Sequence, residues 1–363
     1  MEDSNFNFTK DPELINLHEF EKRSSKILSK WANAYFSTGS CDETCLDENI
    51  TAFQKIKLYP RIMKNISHPD LSTSIFGHQF SLPFGFAPSA FQKLAHEDGE
   101  LATARIASDS NTLMILSQGS TYSLEDVHQE GGDGIRWFQC EFLKDRDLMA
   151  EQIQRAKDNG YTALVITCDI SICGKRERIM RINSKEKHFP PAPNFQSLIE
   201  KYGEDGIDDQ FEPVLNWSMI KWLKGITNLK VILKGVCHPE DAQAALSAGV
   251  DGIIVSNHGG RQLDSAAASI DLLAGVVDAV GGRIPVMMDG GVRRGGDVLK
   301  ALAVGADFVF IGRPVIWGLA CGGQKGVQGV VDILRKELEI DMTLTGVGTV
   351  GNISRQIIFS MNQ

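Results

Sequence analysis

The sequence predicts an α/β protein: a closed (β/α)8 TIM barrel with an N-terminal helical extension and a lid-like insertion after the fourth strand. After about residue 80, short apolar runs alternate with stretches of helical periodicity, and eight such runs follow one another. Apolar strands alternating with helices are typical of a parallel sheet that is covered on its outer face. Eight units over roughly 250 residues match a closed barrel. A doubly wound sheet is the alternative, but the glycine pattern G-x-G-x-x-G is absent after the first strand.

Each predicted strand is a short apolar run rich in β-branched or aromatic residues. The eight strands are predicted at 83–90, 112–117, 135–140, 163–169, 231–235, 252–257, 284–290 and 308–313. Amphipathic helices are predicted between them, for example over 147–160 and 238–249. The second of these has a proline just inside its start and a glycine at its end, as helices commonly do.

We predict a single domain over 1–363. The N-terminal extension covers 1–80 and contains helical candidates within 11–40, the barrel covers 81–340, and a tail covers 341–363. Residues 184–218 form a polar, proline-bearing insertion between the fourth and fifth strands. So long a segment is either a disordered surface loop or an active-site lid, and its position on a connection from strand to helix favours the lid.

The composition excludes several classes of protein. The chain is 42% hydrophobic and 23% charged, which is ordinary for a globular protein and excludes disorder. Its net charge is −9 and it has no basic stripe, so we expect no nucleic-acid partner. No apolar run approaches the ~20 residues that span a membrane, and the polar, acidic start MEDSNFNFTK excludes a signal or transit peptide.

The cysteines indicate reduced thiols in an intracellular compartment. There are seven, an odd number, and they do not follow the spacings of a disulfide framework. Cys41 and Cys45 lie close together, but no second ligand pair accompanies them. Two free thiols are therefore favoured over a zinc site, and no metal is predicted.

Polar residues lie at or just after the ends of seven of the eight predicted strands. They are Ser117, Gln139, Asp169, Lys234, His258, Asp289 and Arg313. One such residue would be an ordinary turn former, but the C-terminal ends of barrel strands meet at one rim, where TIM-barrel enzymes carry their active sites. A base, an acid, a cation and an amide on that rim predict an active site.

Two glycine-rich stretches at the last two strands suggest a phosphate site. They are DGGVRRGGD (289–297) and GADFVFIGRP (305–314). Glycines let the backbone approach a phosphate, and Arg293 or Arg313 can bind it through two donors. The alternative is two ordinary glycine turns with solvated arginines.

SNHGGRQLD (256–264) and PVMMDGGVRRGGDVLKALAVGADFVFIGRP (285–314) resemble the FMN-dependent 2-hydroxy-acid oxidase and dehydrogenase family, which includes glycolate oxidase, long-chain hydroxyacid oxidase and lactate oxidase. Further matches are APSAFQKLAHEDGE (87–100), WFQ, TCD, GKRE and LKGV. The resemblance extends from about Leu17 to about Ile358, and the two long motifs are highly specific.

The resemblance implies an FMN site and assigns its residues. The residues implied to bind the cofactor are Ala87, Pro88, Ser89, Ala90, Ser117, Gln139, Thr167, Lys234, Ser256, Asp289, Gly291, Arg293, Gly312 and Arg313. His258 resembles the catalytic base, Asp169 would stabilise its imidazolium form, and Lys234 would stabilise the charge of reduced flavin. Tyr35, Arg176 and Arg261 would bind the substrate carboxylate.

The activity that the resemblance implies is oxidation of an (S)-2-hydroxy acid to a 2-oxo acid, with O2 reoxidising the flavin to give hydrogen peroxide. A base tuned near neutrality, a guanidinium for the carboxylate and an electron acceptor are what this reaction requires. A dehydrogenase with another acceptor and a flavin-binding protein with weakened catalysis remain alternatives. Whether the α-hydrogen leaves as hydride or proton stays open. The family also implies a homotetramer.

Two residues depart from the family pattern. Glu141 occupies a position where most of the family has a tyrosine that points at the substrate. A carboxylate there would face the substrate carboxylate, and two unit charges about 4 Å apart repel by about 4 kcal/mol at an effective dielectric of about 20. Glu141 is therefore protonated, paired with an arginine or turned away, or it marks a changed substrate or a weakened enzyme. Gly119 stands where plant glycolate oxidases have a tryptophan, so we expect a medium-chain, long-chain or bulkier substrate, unless neighbouring residues fill the space.

The expected location is the cytosol. Animal and plant relatives are usually peroxisomal, but the chain ends in SMNQ and not in a peroxisomal tripeptide.

Overall fold

The computed structural model describes residues 13–359. The segments MEDSNFNFTK and SMNQ, on which the targeting predictions depend, lie outside the described residues. Eight parallel strands close into a barrel, which confirms the predicted fold class. They are β1 (Phe84–Phe86), β2 (Met114–Ser117), β3 (Arg136–Cys140), β4 (Ala163–Thr167), β5 (Lys230–Lys234), β6 (Gly252–Val255), β7 (Val286–Asp289) and β8 (Phe308–Ile311).

Seven strands lie within their predicted runs and are shorter, while β5 has the predicted length but begins one residue earlier. β1 ends at Phe86 because the following Ala87 to Ala90 leave the sheet to form the rim of the barrel. Each strand pairs with the next along the chain, and β8 pairs with β1. The register places Ser117 opposite Gln139 and Thr167 opposite Lys234. These polar side chains consequently lie at one end of the barrel.

Alternation along the strands divides the apolar residues between two clusters. Residues such as Ile115, Trp137 and Phe310 fill the barrel interior, while Leu116 and Phe138 belong to the cluster between the strands and the helices. Because side chains of a strand point to opposite faces in turn, a continuous apolar run supplies both layers. The filled interior leaves chemistry to the ends of the strands.

Helices cover the outside of the barrel. They are α1 (Leu17–Ile27), α2 (Lys30–Ser37), α3 (Thr44–Lys55), α4 (Gly99–Asp109), α5 (Leu124–Gly131), α6 (Arg146–Asp158), α7 (Glu177–Met180), α8 (Gln196–Tyr202), α9 (Ser218–Ile226), α10 (Pro239–Ala248), α11 (Ser269–Val280), α12 (Gly295–Val304) and α13 (Arg313–Thr345). α6 and α10 match the two helices named from sequence. The Asp145 side chain caps α6, and Gly249 ends α10 in the left-handed conformation.

The N-terminal helices pack on the barrel. α1 lies against α13, and α3 lies against the segment that carries His258. The Asp264 carboxylate accepts hydrogen bonds from the backbone N–H groups of Asp42 and Cys45, which fixes the start of α3 beside that segment. The extension thus forms one side of the rim.

The insertion at 184–218 contains local structure. It includes α8 and several 3-10 turns, and it buries Phe195 and Leu198 against the core. α13 runs past the predicted barrel boundary at 340, with a break at Gly322 and Gly323. The division of the chain into extension, barrel and tail stays a prediction. Within residues 13–359, no helix is long and apolar enough to cross a membrane.

Candidate active site

A cavity of about 240 Å³ opens at the C-terminal end of the barrel. The residues predicted from sequence that line it are Tyr35, Ala87, Pro88, Ser89, Ala90, Ser117, Gln139, Glu141, Thr167, Arg176, Lys234, His258, Arg261, Asp289, Gly291, Arg293, Gly312 and Arg313. Asp169 and Ser256 contact lining residues from behind. The fold therefore brings together the predicted site residues from the barrel and from α2.

The loop after β6 has an unusual backbone. His258, Gly259 and Gly260 have φ values of 56°, 64° and 73°, so three consecutive residues are left-handed. This conformation is costly for a histidine and favourable for glycine. A Cβ on Gly260 would lie 2.6 Å from the backbone nitrogen of Leu46 in α3. The paired glycines let the chain turn tightly under the extension, and the strained histidine is of the kind that clusters at functional sites.

His258 and Asp169 form a hydrogen-bonded pair. Nδ1 of His258 lies 3.0 Å from Oδ1 of Asp169. Burial lowers the pKa of His258, although Asp169 opposes the shift. Burial would raise the pKa of Asp169, but the charge and hydrogen bond of His258, with Lys234, bring that pKa below its usual value. A neutral imidazole that donates Nδ1–H to a carboxylate keeps Nε2 free to accept a proton, as a general base requires.

Lys234 supplies a buried cation. Its Nζ lies 3.1 Å from Oδ2 of Asp289 and donates to Oγ of Ser256 at 3.0 Å. Burial would lower the pKa of Lys234, but Asp289 and Asp169 raise it above its usual value, so the ammonium stays charged. Oγ of Ser256 also accepts from the backbone N–H of His258 at 3.0 Å. One serine thus links the cation to the base.

Two arginines and Tyr35 lie at the open side of the site. Nη1 of Arg261 donates to the backbone oxygen of Tyr35 at 2.7 Å, and its guanidinium lies 5.4 Å from the centre of the Tyr35 ring. Burial and the nearby Arg176 lower the pKa of Arg261 to about 10. Nε of Arg176 is buried without a hydrogen-bond partner. Two adjacent half-buried cations with an unused donor favour an anion between them.

The loops after β7 and β8 form the other end of the cavity. Nε of Arg293 is buried without a partner, and its guanidinium lies 4.7 Å from the centre of the Trp317 ring. Arg313 donates to the backbone oxygens of Phe36, Gly259 and Thr38. Arg293 therefore has the unused donor, while Arg313 fixes the extension to the His258 loop as well as lining the cavity. The arginines of both loops are therefore held within the structure, unlike the solvated arginines of ordinary turns.

These groups fit FMN. The orphaned donor of Arg293 beside Gly291 and Gly312 suits a phosphate, and the amide of Gln139 with the ammonium of Lys234 suits the polar edge of a flavin ring. Nε2 of Gln139 donates to Oγ1 of Thr167 at 3.0 Å, which holds the amide at the rim.

Glu141 lines the cavity at the substrate end. Its backbone N–H donates to the side-chain oxygen of Gln118 at 3.1 Å, and no ion pair or hydrogen bond holds its carboxyl group among the described residues. Burial and the charge of Asp169 raise the pKa of Glu141 to about 7, against the opposing effect of Arg176. The side chain is not turned away, so the departure seen in the sequence lies within the site.

Gly119 lies behind Ala90. A Cβ on Gly119 would be 3.1 Å from the Cβ of Ala90 and 3.9 Å from the rings of Phe91 and Phe195. The described residues that line the cavity include Ala90 but not Gly119. Neighbouring side chains therefore approach the space that the missing tryptophan would take.

Sequence reasoning missed one positioning residue, Gln262. Nε2 of Gln262 donates to the backbone oxygens of Asp169 and Ile172 at 2.8 Å, and its Oε1 accepts from the backbone N–H of Gly174 at 3.1 Å. Gln262 thereby joins the loops that carry His258 and Arg176. Its place within SNHGGRQLD was the available signal.

The insertion reaches the site through aromatic contacts. The indole N–H of Trp31 donates to the backbone oxygen of His188, and the ring of Phe189 lies 5.5 Å from that of Tyr35 and 4.6 Å from that of Phe91. These contacts are compatible with the predicted lid, which stays a prediction.

Comparison with known proteins identifies the family to which the chain belongs. The model of the FMN-dependent dehydrogenase family matches residues 24–360. Human 2-hydroxyacid oxidase 1 is 40% identical over 96% of this chain and 97% of its own length. An Arabidopsis thaliana peroxisomal (S)-2-hydroxyacid oxidase is 41% identical over 97% of this chain and 98% of its own. A Pediococcus acidilactici structure described as a lactate oxidase superposes with a TM-score of 0.92 at 38% identity, covering 98% of this chain and 97% of that one.

A closed barrel that gathers a histidine–aspartate pair, a buried lysine and arginines with unused donors at one rim is typical of a flavin-dependent oxidoreductase. The chain belongs to the FMN-dependent dehydrogenase family. These findings confirm the predicted family, enzyme class and cofactor.

Proposed function

We propose that the chain oxidises an (S)-2-hydroxy acid larger than glycolate to the 2-oxo acid, with O2 as electron acceptor and hydrogen peroxide as product. The observation that carries the proposal is the hydrogen-bonded His258 and Asp169 in the same site as Arg176 and Arg261. The relatives named as 2-hydroxyacid oxidases and lactate oxidase support it.

Each group has a role in this reaction. Arg261 and Arg176, with Tyr35, bind the substrate carboxylate, which relieves the repulsion between the two guanidinium groups. Nε2 of His258 accepts a proton from the substrate: the hydroxyl proton where the α-hydrogen leaves as hydride, or the α-hydrogen itself where it leaves as a proton. Asp169 stabilises the imidazolium that forms. FMN, when bound, supplies the two-electron acceptor.

The cofactor contacts are also proposed residue by residue. The loop from Ala87 to Ala90, with Ser117, Gln139, Thr167 and Ser256, would hold the flavin ring, and Lys234 would compensate negative charge on it. Asp289 would hold the ribityl chain, and Arg293, Gly291, Gly312 and Arg313 would hold the phosphate.

The absence of a side chain at Gly119 supports the preference for a larger substrate. The position of its missing Cβ lies 3.1 Å from the Cβ of Ala90, which lines the cavity, and 3.9 Å from the rings of Phe91 and Phe195, so a small alanine borders the cavity at this point. A series of (S)-2-hydroxy acids from C2 to C12 tests this point. A kcat/KM that rises with chain length supports it, and glycolate as the best substrate overturns it.

A second candidate is a flavin-binding protein with weakened catalysis. One observation favours it: the carboxyl of Glu141 lies in the substrate end of the cavity without a partner. A protein that binds FMN but is not reduced by any 2-hydroxy acid would establish this alternative.

The electron acceptor is tested by comparing oxygen consumption with dye reduction. Peroxide formed in a 1:1 ratio to the 2-oxo acid supports an oxidase, whereas turnover only with an added dye indicates a dehydrogenase. We propose the cytosol as the location, supported by seven free cysteines, although the Arabidopsis relative is named peroxisomal. Imaging of the full-length chain and light scattering test the location and the proposed homotetramer.

A further inference from the structure

We propose that Glu141 makes this enzyme selective for 2-hydroxy acids whose side chain carries a hydrogen-bond donor, an O–H or N–H group close to the reacting carbon. The inference rests on the proposed function and names the substrate class of the same site.

The strand geometry directs Glu141 into the cavity. Gln139 lies in β3 and Glu141 directly follows the last residue of that strand, Cys140, and both line the cavity. Side chains two apart on a strand share a face and are separated by about 7 Å along the strand. Gln139 lies at the rim with Thr167, so Glu141 lies one layer further out, where the substrate end of the cavity begins.

Glu141 is the unpaired carboxyl of the cavity. Two acidic residues are among the described residues that line it, Asp289 and Glu141. Asp289 lies 3.1 Å from the ammonium of Lys234, whereas Glu141 forms no ion pair with any described residue. Arg176 is close enough to lower the pKa of Glu141, yet its guanidinium donates a hydrogen bond to the side-chain oxygen of Gln262 at 3.4 Å instead.

An acceptor that faces a cavity without a protein donor favours a ligand that supplies one. Hydrophobic pockets discriminate weakly between a methyl group and a hydroxyl group, but a site built to hydrogen-bond a substrate O–H or N–H rejects the analogue that lacks it by large factors. A carboxyl with a pKa of about 7 can accept a hydrogen bond in either protonation state.

Three substrates of nearly equal size isolate this effect. They are the (S) forms of 2-hydroxybutanoate, 2,3-dihydroxypropanoate and 3-amino-2-hydroxypropanoate, whose side chains end in a methyl, a hydroxyl and an ammonium group. For the wild-type holoenzyme we expect kcat/KM to be at least about 10-fold higher for the two donor-bearing acids than for the alkyl acid.

Two variants of the same position serve as matched controls. Glu141→Gln keeps the shape and one acceptor, so it should retain a preference for the hydroxyl acid but lose any advantage of the ammonium acid. Glu141→Leu removes the acceptor, so the alkyl acid should become the best of the three. Calorimetric Kd values for the three acids, measured with each variant in a His258→Gln background, give a binding readout that does not depend on turnover.

The outcomes separate the two proposals. Oxidation of all three acids without discrimination, or a preference that survives in Glu141→Leu, overturns the inference and leaves the proposed function standing. Flavin that none of these acids, lactate or longer 2-hydroxy acids can reduce overturns the proposed function and the inference with it.

Discussion

Replacing Glu141 by glutamine should stabilise the protein by an amount that grows as the pH rises from 5 to 8. Burial and the charge of Asp169 move the pKa of Glu141 from 4.5 to about 7 in the folded state. Below pH 4.5, the pKa of Glu141 in the unfolded chain, the carboxyl is neutral in both states and does not change the free energy of unfolding. Above that pH the carboxyl ionises first in the unfolded chain, so the free energy of unfolding falls as the pH rises toward the folded pKa of about 7 and levels off above it. One pKa unit corresponds to about 1.4 kcal/mol, so the loss approaches about 3 kcal/mol above pH 7.

Glutamine has nearly the same shape and does not titrate, so it lacks this loss. Urea denaturation of both proteins without substrate should give a free-energy difference that increases by about 2 to 3 kcal/mol in favour of Glu141→Gln between pH 5 and pH 8. The exposed Glu204→Gln is the control, for which we expect a change within about 0.5 kcal/mol. A difference that is constant with pH, or that shrinks as the pH rises, would refute the assignment of Glu141 to a buried site beside Asp169.

Three further variants test other parts of the site. Glu141→Tyr should raise turnover of unsubstituted 2-hydroxy acids, since it removes the carboxyl that opposes the substrate carboxylate; unchanged or lower kcat/KM would contradict the placement of this residue. Asp169→Asn should slow anaerobic flavin reduction at least about 100-fold while the bound flavin spectrum is kept, because the amide cannot stabilise the imidazolium; a change below about 5-fold would remove Asp169 from the reaction. Gly291→Ala should lower the unfolding temperature and weaken FMN binding, because its Cβ would collide with a backbone oxygen of α3, whereas Gly282→Ala has a similar positive φ, 72°, and no neighbour within 4 Å. Equal effects of the two glycine variants would show that only backbone strain matters there.

The barrel could be predicted from sequence because its signal is local. Each buried strand is an apolar run, each helix carries its own boundaries, and the run 252–257 with the following HGG already places a histidine at a strand end. Parallel strands in a closed barrel end at one rim, so the convergence of Lys234, His258 and Asp289 follows from topology alone.

Other features depend on contacts between distant segments, which no local pattern encodes. Gln262 accepts a hydrogen bond from Gly174, in the loop that carries Arg176, although the two residues are 88 positions apart in the sequence. Likewise, the backbone oxygens that accept hydrogen bonds from Arg313 belong to α2 and the His258 loop. The room beside Gly119 depends on where Ala90 and Phe195 lie. The sequence left five possibilities open for Glu141, and only the fold shows that its side chain lines the cavity.

The central claim is that this cavity oxidises 2-hydroxy acids, and an anaerobic titration of the FMN-loaded protein tests it most directly. Lactate, mandelate, glycolate, the C6–C12 (S)-2-hydroxy acids and the two donor-bearing acids would be added in turn while the flavin absorbance is followed. The account predicts that at least one of them bleaches the flavin, that air restores the absorbance with release of peroxide, and that His258→Gln slows the bleaching by about 100-fold or more. A yellow protein that no 2-hydroxy acid bleaches would contradict the account.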